Sequence, residues 1–238
     1  MSKNLSRRGF FSGTSAFAAA AAAGLTGKAV AYPLCSGKPE CSTKSFMDQY
    51  YDGMTGIIKG IRDTEAGAIA QAMEKAYELK QKKGTLSANL VYGHFGTYYA
   101  SRDRPGQPWV LPSYSTLSKE QVDAMKEGDF LITNIVDEAR KDARDRGVYM
   151  VGVTNNYFKF AGTAENGLRP DRMTLSVEEI SDVVINSYVP WDNGLVDAPQ
   201  VPQFKLCPST GTAQAAVYWA CSASLANLIG TKGKGCSY

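Results

Sequence analysis

The sequence predicts an α/β domain: a central parallel sheet with helices on both faces. Three observations carry that expectation. Short apolar runs recur, ANLVYG from residue 88, GDFLITN from 128, GVYMVGVTN from 147 and SDVVINS from 181, each bounded by Gly, Asp, Asn or Ser. Runs of this length and apolarity suit strands buried on both faces. Helical segments lie between them, the order that parallel crossovers demand. Two amphipathic segments precede the first run and a small-residue helix follows the last.

The chain opens with an address. Residues 1–31 have the three parts of an export signal: a basic start, an alanine-rich core, and Ala29, Val30 and Ala31, which place cleavage before Tyr32. SRRGFF, with Arg7 and Arg8 followed by Phe10 and Phe11, resembles the twin-arginine signal, so a periplasmic location is expected. The apolar core is shorter than the ~20 residues that span a bilayer, so no stable membrane anchor is expected. Without Lys3, Arg7, Arg8 and Lys28, 22 Lys and Arg face 23 Asp and Glu, and the formal charge falls from +3 to −1. The basic balance thus belongs to the address, and no stripe of Lys and Arg remains for a nucleic acid.

Residues 32–44 form a short lead. CSGKPEC sets Cys35 and Cys41 on a loop where their Cα atoms can approach to ~6 Å, and in an exported chain a disulfide between them is expected. The domain spans 45–230, enough for one core. From Ser45 to Lys83, Met54, Ile57, Ile58 and Ile61, then Ile69, Met73, Ala76 and Tyr77, recur at helical spacing. A break near Asp63 and Thr64 makes two helices, and Gly84 stops the second.

Further on, Ser118 followed by Gln121 is a capping box opening a short helix that Gly128 closes. DEARKDARDRG, residues 137–147, makes the next helix, its charges facing mainly solvent. Residues 155–174 are irregular. PSTGTAQAAVYWACSASLANLIG, residues 208–230, ends the domain as a helix whose hydroxyl-rich start suits an anion. Cys221 lies ~15 Å along it, beyond reach of Cys207. Cys236 falls in a tail, 231–238.

Taken in order, EGDFLIT, DRGVYMVGVT and SDVVINSYVPWDNGLVDAPQVPQFKLCPSTGTAQAAVYWACSASLANLI resemble the SIS domain, the sugar isomerase fold that binds phosphorylated sugars, and within it a bacterial branch of phosphosugar-binding-type proteins. The resemblance covers about residues 46–230. It implies a three-layer sandwich, a homodimer, and a ligand held at the strands' carboxyl ends by hydroxyls and backbone N–H groups of three turns. Gly93 matches the first glycine of the first turn and Thr97 its serine, while Phe95 stands where a second glycine belongs. The serine-rich second loop has no counterpart, since GDFLIT runs through NIV into a helix with Asp137 and Glu138 in its first turn. Acids there hold the positive end of the dipole and repel phosphate. Ser224 replaces a glutamate that serves as acid or base in several isomerases of the family. The turn Pro208 to Thr212 keeps a hydroxyl-rich anion site.

The expected function is binding of a small-molecule carbohydrate derivative, phosphorylated or not, by Gly93, His94, Thr97, Ser209, Thr210 and Thr212. An isomerase or lyase acting on such a sugar, and a structural or interaction module that has lost its phosphate site, are the alternatives. His94, the one histidine, is either a general base near Thr97 or a turn residue without catalytic duty. Trp191 either stacks on a sugar face or packs over the sheet edge; Asp192 either reaches a ligand hydroxyl or shapes a turn. Arg102 and Arg104 either bind anions or lie in a solvated loop. One histidine and no paired C-x2-C exclude the usual zinc and haem sites, so neither metal nor cofactor is expected.

Overall fold

Ser45 opens the first helix, α1 (Phe46–Thr64): its hydroxyl accepts the Asp48 N–H at 3.1 Å, the bond a serine N-cap supplies. The computed structural model describes residues 44–90, 110–114, 117–154, 175–190, 193–199 and 205–233. Met54, Ile57 and Ile61 form the buried face of α1. At Glu65 it gives way to α2 (Ala66–Gln81), which buries Ile69, Ala72, Met73, Ala76 and Leu79. The break falls where the spacing predicts it. The end of α2 differs: Lys83, not Gly84, takes the left-handed conformation, with φ 66°. Gly84 is needed for another reason. A Cβ on it would lie 2.0 Å from the Gly128 carbonyl oxygen, because the chain leaving α2 meets the loop before the second strand backbone on backbone.

Four strands, β1 (Leu86–Asn89), β2 (Phe130–Thr133), β3 (Tyr149–Thr154) and β4 (Val183–Asn186), pair in that order. All are parallel. β1 starts two residues before the apolar run ANLVYG, because its limits follow pairing with β2, Leu86 opposite Phe130 and Asn89 opposite Thr133. Outside β1 the chain adds one more parallel rung. The Ala88 N–H donates to the Pro112 carbonyl and the Tyr114 N–H to the Ala88 carbonyl, each at 2.8 Å. In space the order is 112–114, β1, β2, β3, β4, so the winding goes from β1 to one side and then to the other.

Two helices on one face, α3 (Lys119–Asp123) and α4 (Glu138–Asp145), bring Val122 and Ala143 into one cluster with Met125, Leu131, Val148 and Met150. Both halves of the α3 capping box form, Gln121 N–H to Ser118 Oγ at 3.3 Å and Ser118 N–H to Gln121 Oε1 at 2.9 Å. On the other face α1, α2 and α5 (Thr210–Lys232) cover Leu86, Ala88, Phe130, Ile132, Val151 and Ile185. Alternate strand residues thus feed opposite cores. The layering has a simple cause. Right-handed crossovers that add strands to the same edge put their helices on one face, which leaves the other to the helices before β1 and after β4. Each fully buried large side chain, such as Phe130, Ile132 or Met150, stabilises the fold by roughly 1.5–3 kcal/mol. This is the predicted three-layer α/β sandwich.

A two-stranded antiparallel ribbon, β5 (Gly194–Val196) with β6 (Leu206–Pro208), precedes α5; the sequence reading has no strands there. Cys207 is exposed and Cys221 buried, and both are free. Among the described residues no helix is long and apolar enough to cross a membrane. The signal at 1–31, the lead with Cys35 and Cys41, and Cys236 lie outside the described residues.

Candidate functional site

A parallel sheet wound in this order places its ligand crevice beyond the carboxyl ends of the strands, where connections leave to opposite sides. That switch lies between β1 and β2. The strands end there in a chemical series. β2, β3 and β4 are apolar along most of their length and β1 along half, and each closes on an uncharged amide or hydroxyl: Asn89, Thr133, Thr154 and Asn186. Asn134 and Ser187 follow β2 and β4, at 2% and 0% exposure.

At the switch itself sits Arg140, 4% exposed. Its Nη2 donates to Asn89 Oδ1 at 3.0 Å and its Nη1 to Asp137 Oδ2 at 2.6 Å, while Nε has no partner. Asp137 also caps α4, its Oδ1 accepting the Arg140 N–H at 2.9 Å. Asn89 Nδ2 donates to the Tyr114 carbonyl at 3.1 Å, which ties the outer rung to the same cluster. One charge of α4 therefore departs from the expectation that this helix faces solvent. A buried guanidinium is tolerated only when paired and hydrogen-bonded, and Asp137 and Asn89 meet that need.

Across the sheet, Thr154 Oγ1 donates to Asn186 Oδ1 at 2.8 Å and accepts the Ser187 N–H at 3.1 Å. The Asn186 N–H reaches Glu65 Oε2 at 3.1 Å, and the Tyr188 hydroxyl donates to Glu65 Oε1 at 3.0 Å. The junction of α1 and α2 thereby brings a carboxylate to the carboxyl end of β4.

The turn before α5 is occupied by a side chain of the protein. Asn193 Oδ1 accepts the Ser209 N–H at 3.2 Å, the Thr210 N–H at 3.0 Å and the Thr210 hydroxyl. Ser209 Oγ donates to the Asn193 carbonyl at 3.2 Å. Of the six residues expected to line the site, Ser209 and Thr210 are buried in this arrangement and Thr212 is exposed. Gly93, His94 and Thr97 lie outside the described residues, as do Phe95, Arg102, Arg104, Trp191 and Asp192. Ser224 sits in α5.

Sequence reasoning missed Asn89, Arg140, Glu65 and Asn193. A partial signal existed for two of them: Asp137 three residues before Arg140 is a helical pair, and Asn193–Gly194 is a turn dipeptide. A hollow of about 230 Å³ lies under α3, lined by Thr85, Ser87, Leu117, Gln121, Met125 and Asp129. It reaches the residues before β1 and β2, so it belongs to the sheet's amino edge. On the buried face of α5, burial pushes the Cys221 thiol up to about 12, and burial likewise raises the Tyr218 phenol, whose hydroxyl donates to the Leu111 carbonyl at 2.7 Å. No group of three or more His, Cys, Asp or Glu that could hold a metal occurs among the described residues.

No protein-family model matches the chain, and no curated protein matches it. One solved structure similar to it is that of a "Putative sugar binding protein" from Salmonella typhimurium LT2, at 13% identity and a TM-score of 0.37, over 79% of this chain and 51% of that one. The chain spans about half the length of that structure.

Proposed function

We propose that the chain is an exported SIS-type protein that binds a carbohydrate derivative at the carboxyl ends of β1 to β4. One observation carries this: all four strands end on uncharged amide or hydroxyl side chains, Asn89, Thr133, Thr154 and Asn186. Sugar hydroxyls donate and accept, and such side chains do both in return; Asn89 and Thr133 are fully buried, so the half-buried Thr154 and Asn186 are the ones of this row that face a ligand. A phosphate asks instead for donors and positive charge, and the charge of Arg140 is already met by Asp137. Gly93, His94 and Thr97 follow β1 closely in the chain, and in this reading they line the same crevice, with Thr212 as the exposed hydroxyl of the last turn. The resemblance of the ordered segments to the SIS domain supports the same site.

The address at 1–31 belongs to this reading: the mature protein starts at Tyr32 and works in the periplasm. So does a homodimer, for which α1 offers Met47, Tyr51 and Ile58, at 64%, 62% and 46% exposure. Their spacing sets them along one flank of the helix.

The test is a thermal-shift screen of residues 32–238 against unphosphorylated sugars, sugar phosphates and inorganic phosphate. A ligand that binds the folded state raises the melting temperature by mass action. A flat response to the whole panel would reject the proposal and favour a structural module. Glu65, bonded by the Tyr188 hydroxyl, favours one further reading, an isomerase or lyase in which this carboxylate moves the proton. NMR of sugar interconversion by the wild type and by Glu65→Gln decides it, with turnover lost in the variant.

A further inference from the structure

We propose that Asn193 is a plug that closes the start of α5 to anions, so that the ligand carries no phosphate at that position. The first N–H groups of a helix have no partner within it and readily take an oxygen anion. Here the Thr210 N–H at 3.0 Å and the Thr210 hydroxyl converge on one oxygen, Asn193 Oδ1, while the Ser209 N–H is shared between that oxygen at 3.2 Å and the Asn193 main-chain carbonyl at 2.8 Å. Ser209 and Thr210 are 0% and 2% exposed, so these donors do not face solvent.

One more buried donor lies on the same helix. Gln214, four residues after Thr210 and on the same helix face, is 1% exposed and its Nε2 has no partner. A neutral amide oxygen thus stands where an anion would meet the Thr210 N–H and hydroxyl. The start of α4 is closed in parallel fashion, by the Asp137 carboxylate on the Arg140 N–H at 2.9 Å. Both helix starts hold an oxygen of the chain itself.

The backbone makes the plug removable. Asn193 has φ 60°, a left-handed conformation that asparagine tolerates and glycine adopts without strain. Asn193→Gly therefore withdraws the oxygen and leaves the turn unstrained. Asn193→Asp keeps an oxygen in place and adds charge.

The ligand class deduced here rests on the carbohydrate reading, but the plug is tested with inorganic phosphate alone. Calorimetric titration of the mature protein with phosphate, against sodium chloride of equal ionic strength, is expected to give no saturable binding for the wild type and Asn193→Asp. Asn193→Gly is expected to bind at least tenfold more tightly than either. Should circular dichroism show the glycine variant unfolded, Asn193→Ser, whose shorter side chain also withdraws the oxygen, is read in its place. Phosphate binding by the wild type, gain in the aspartate variant, or no gain on removing the oxygen would each overturn the plug. A sugar phosphate that binds the wild type tenfold more tightly than its free sugar would also overturn it, while upholding carbohydrate binding. Silence toward every sugar, with the phosphate results as expected, would sink the carbohydrate reading and leave the plug standing.

Discussion

The two edges of the sheet use polar side chains in opposite ways. At the amino edge the groups are charged. Asp129, 5% exposed, accepts the Thr85 N–H at 2.8 Å and the Lys126 N–H at 3.0 Å. Asp182 accepts the Met150 N–H at 2.8 Å and the Arg144 Nε at 3.3 Å. Each carboxylate precedes one strand and holds the backbone of its neighbour. At the carboxyl edge the strands end on Asn and Thr instead. A carboxylate only accepts, which suits a fixed row of N–H groups, whereas amides and hydroxyls both donate and accept and suit a partner that does the same. The amino edge is thus a seam that holds the fold. The side chains of the carboxyl edge hold the chain as well, Asn89 through the Tyr114 carbonyl and Thr154 through the Ser187 N–H, and in the proposed function this edge is also the rim that meets a ligand.

Variants at each edge test that division. Asp129→Ala strips two backbone N–H groups of a charged acceptor and is expected to cost about 3 kcal/mol, read as a lower urea midpoint, with the sugar-induced shift retained. Loss of the sugar response in a variant still folded would erase the distinction between seam and rim. Alkaline titration probes the layer between the edges. The Cys221 thiol ionises near 9 when free and is pushed up to about 12 by burial in the fold. The native state therefore keeps its proton where the unfolded chain has lost it. The stability this group contributes is full below pH 9 and falls by on the order of 1 kcal/mol per pH unit up to about 12. Denaturant midpoints across that range should fall more steeply for the wild type than for Cys221→Ala.

At the rim, Thr154→Val keeps shape and removes the hydroxyl. It is expected to weaken sugar binding by roughly tenfold, near the upper range for one hydrogen bond, and, because the buried Ser187 N–H loses its acceptor, to cost about 1–3 kcal/mol of stability. A stability loss with sugar binding unchanged would make Thr154 one more seam residue. The smallest effect is outside both edges: Tyr51→Asp on α1 should alter stability by less than about 0.5 kcal/mol, yet convert the proposed dimer to a monomer in sedimentation velocity.

Local patterns were legible where their cause is local. The Ser118 and Gln121 box, the break at Thr64 and the apolar runs of β2, β3 and β4 all stand in the structure because caps, spacing and burial act over a few residues. β1 was offset because Leu86 and Ser87 are held by partners in β2, more than forty residues away. The ribbon of β5 and β6 has three residues in each strand, too few for an alternating pattern. The candidate site was less legible still. Arg140 reads as one more charge on a charged helix, and what buries it is Asn89, 51 positions earlier. Asn193 signals a turn, but its bond to Thr210 spans 17 positions. The hydroxyls of the last turn were visible in the sequence, and their partner was not.

The backbone contact between Gly84 and Gly128 has a consequence for how this protein can change. Connections on that side, residues 82–85, 124–129 and 146–148, are brief, and at Gly84 there is no room for even a methyl group. Two of the exits on the opposite side run long, from 90 to 111 and from 155 to 182. Lengthening, grafting and evolutionary drift thus have one tolerant face, and descendants of this chain would diversify in what they grip long before they diversify in how they stand.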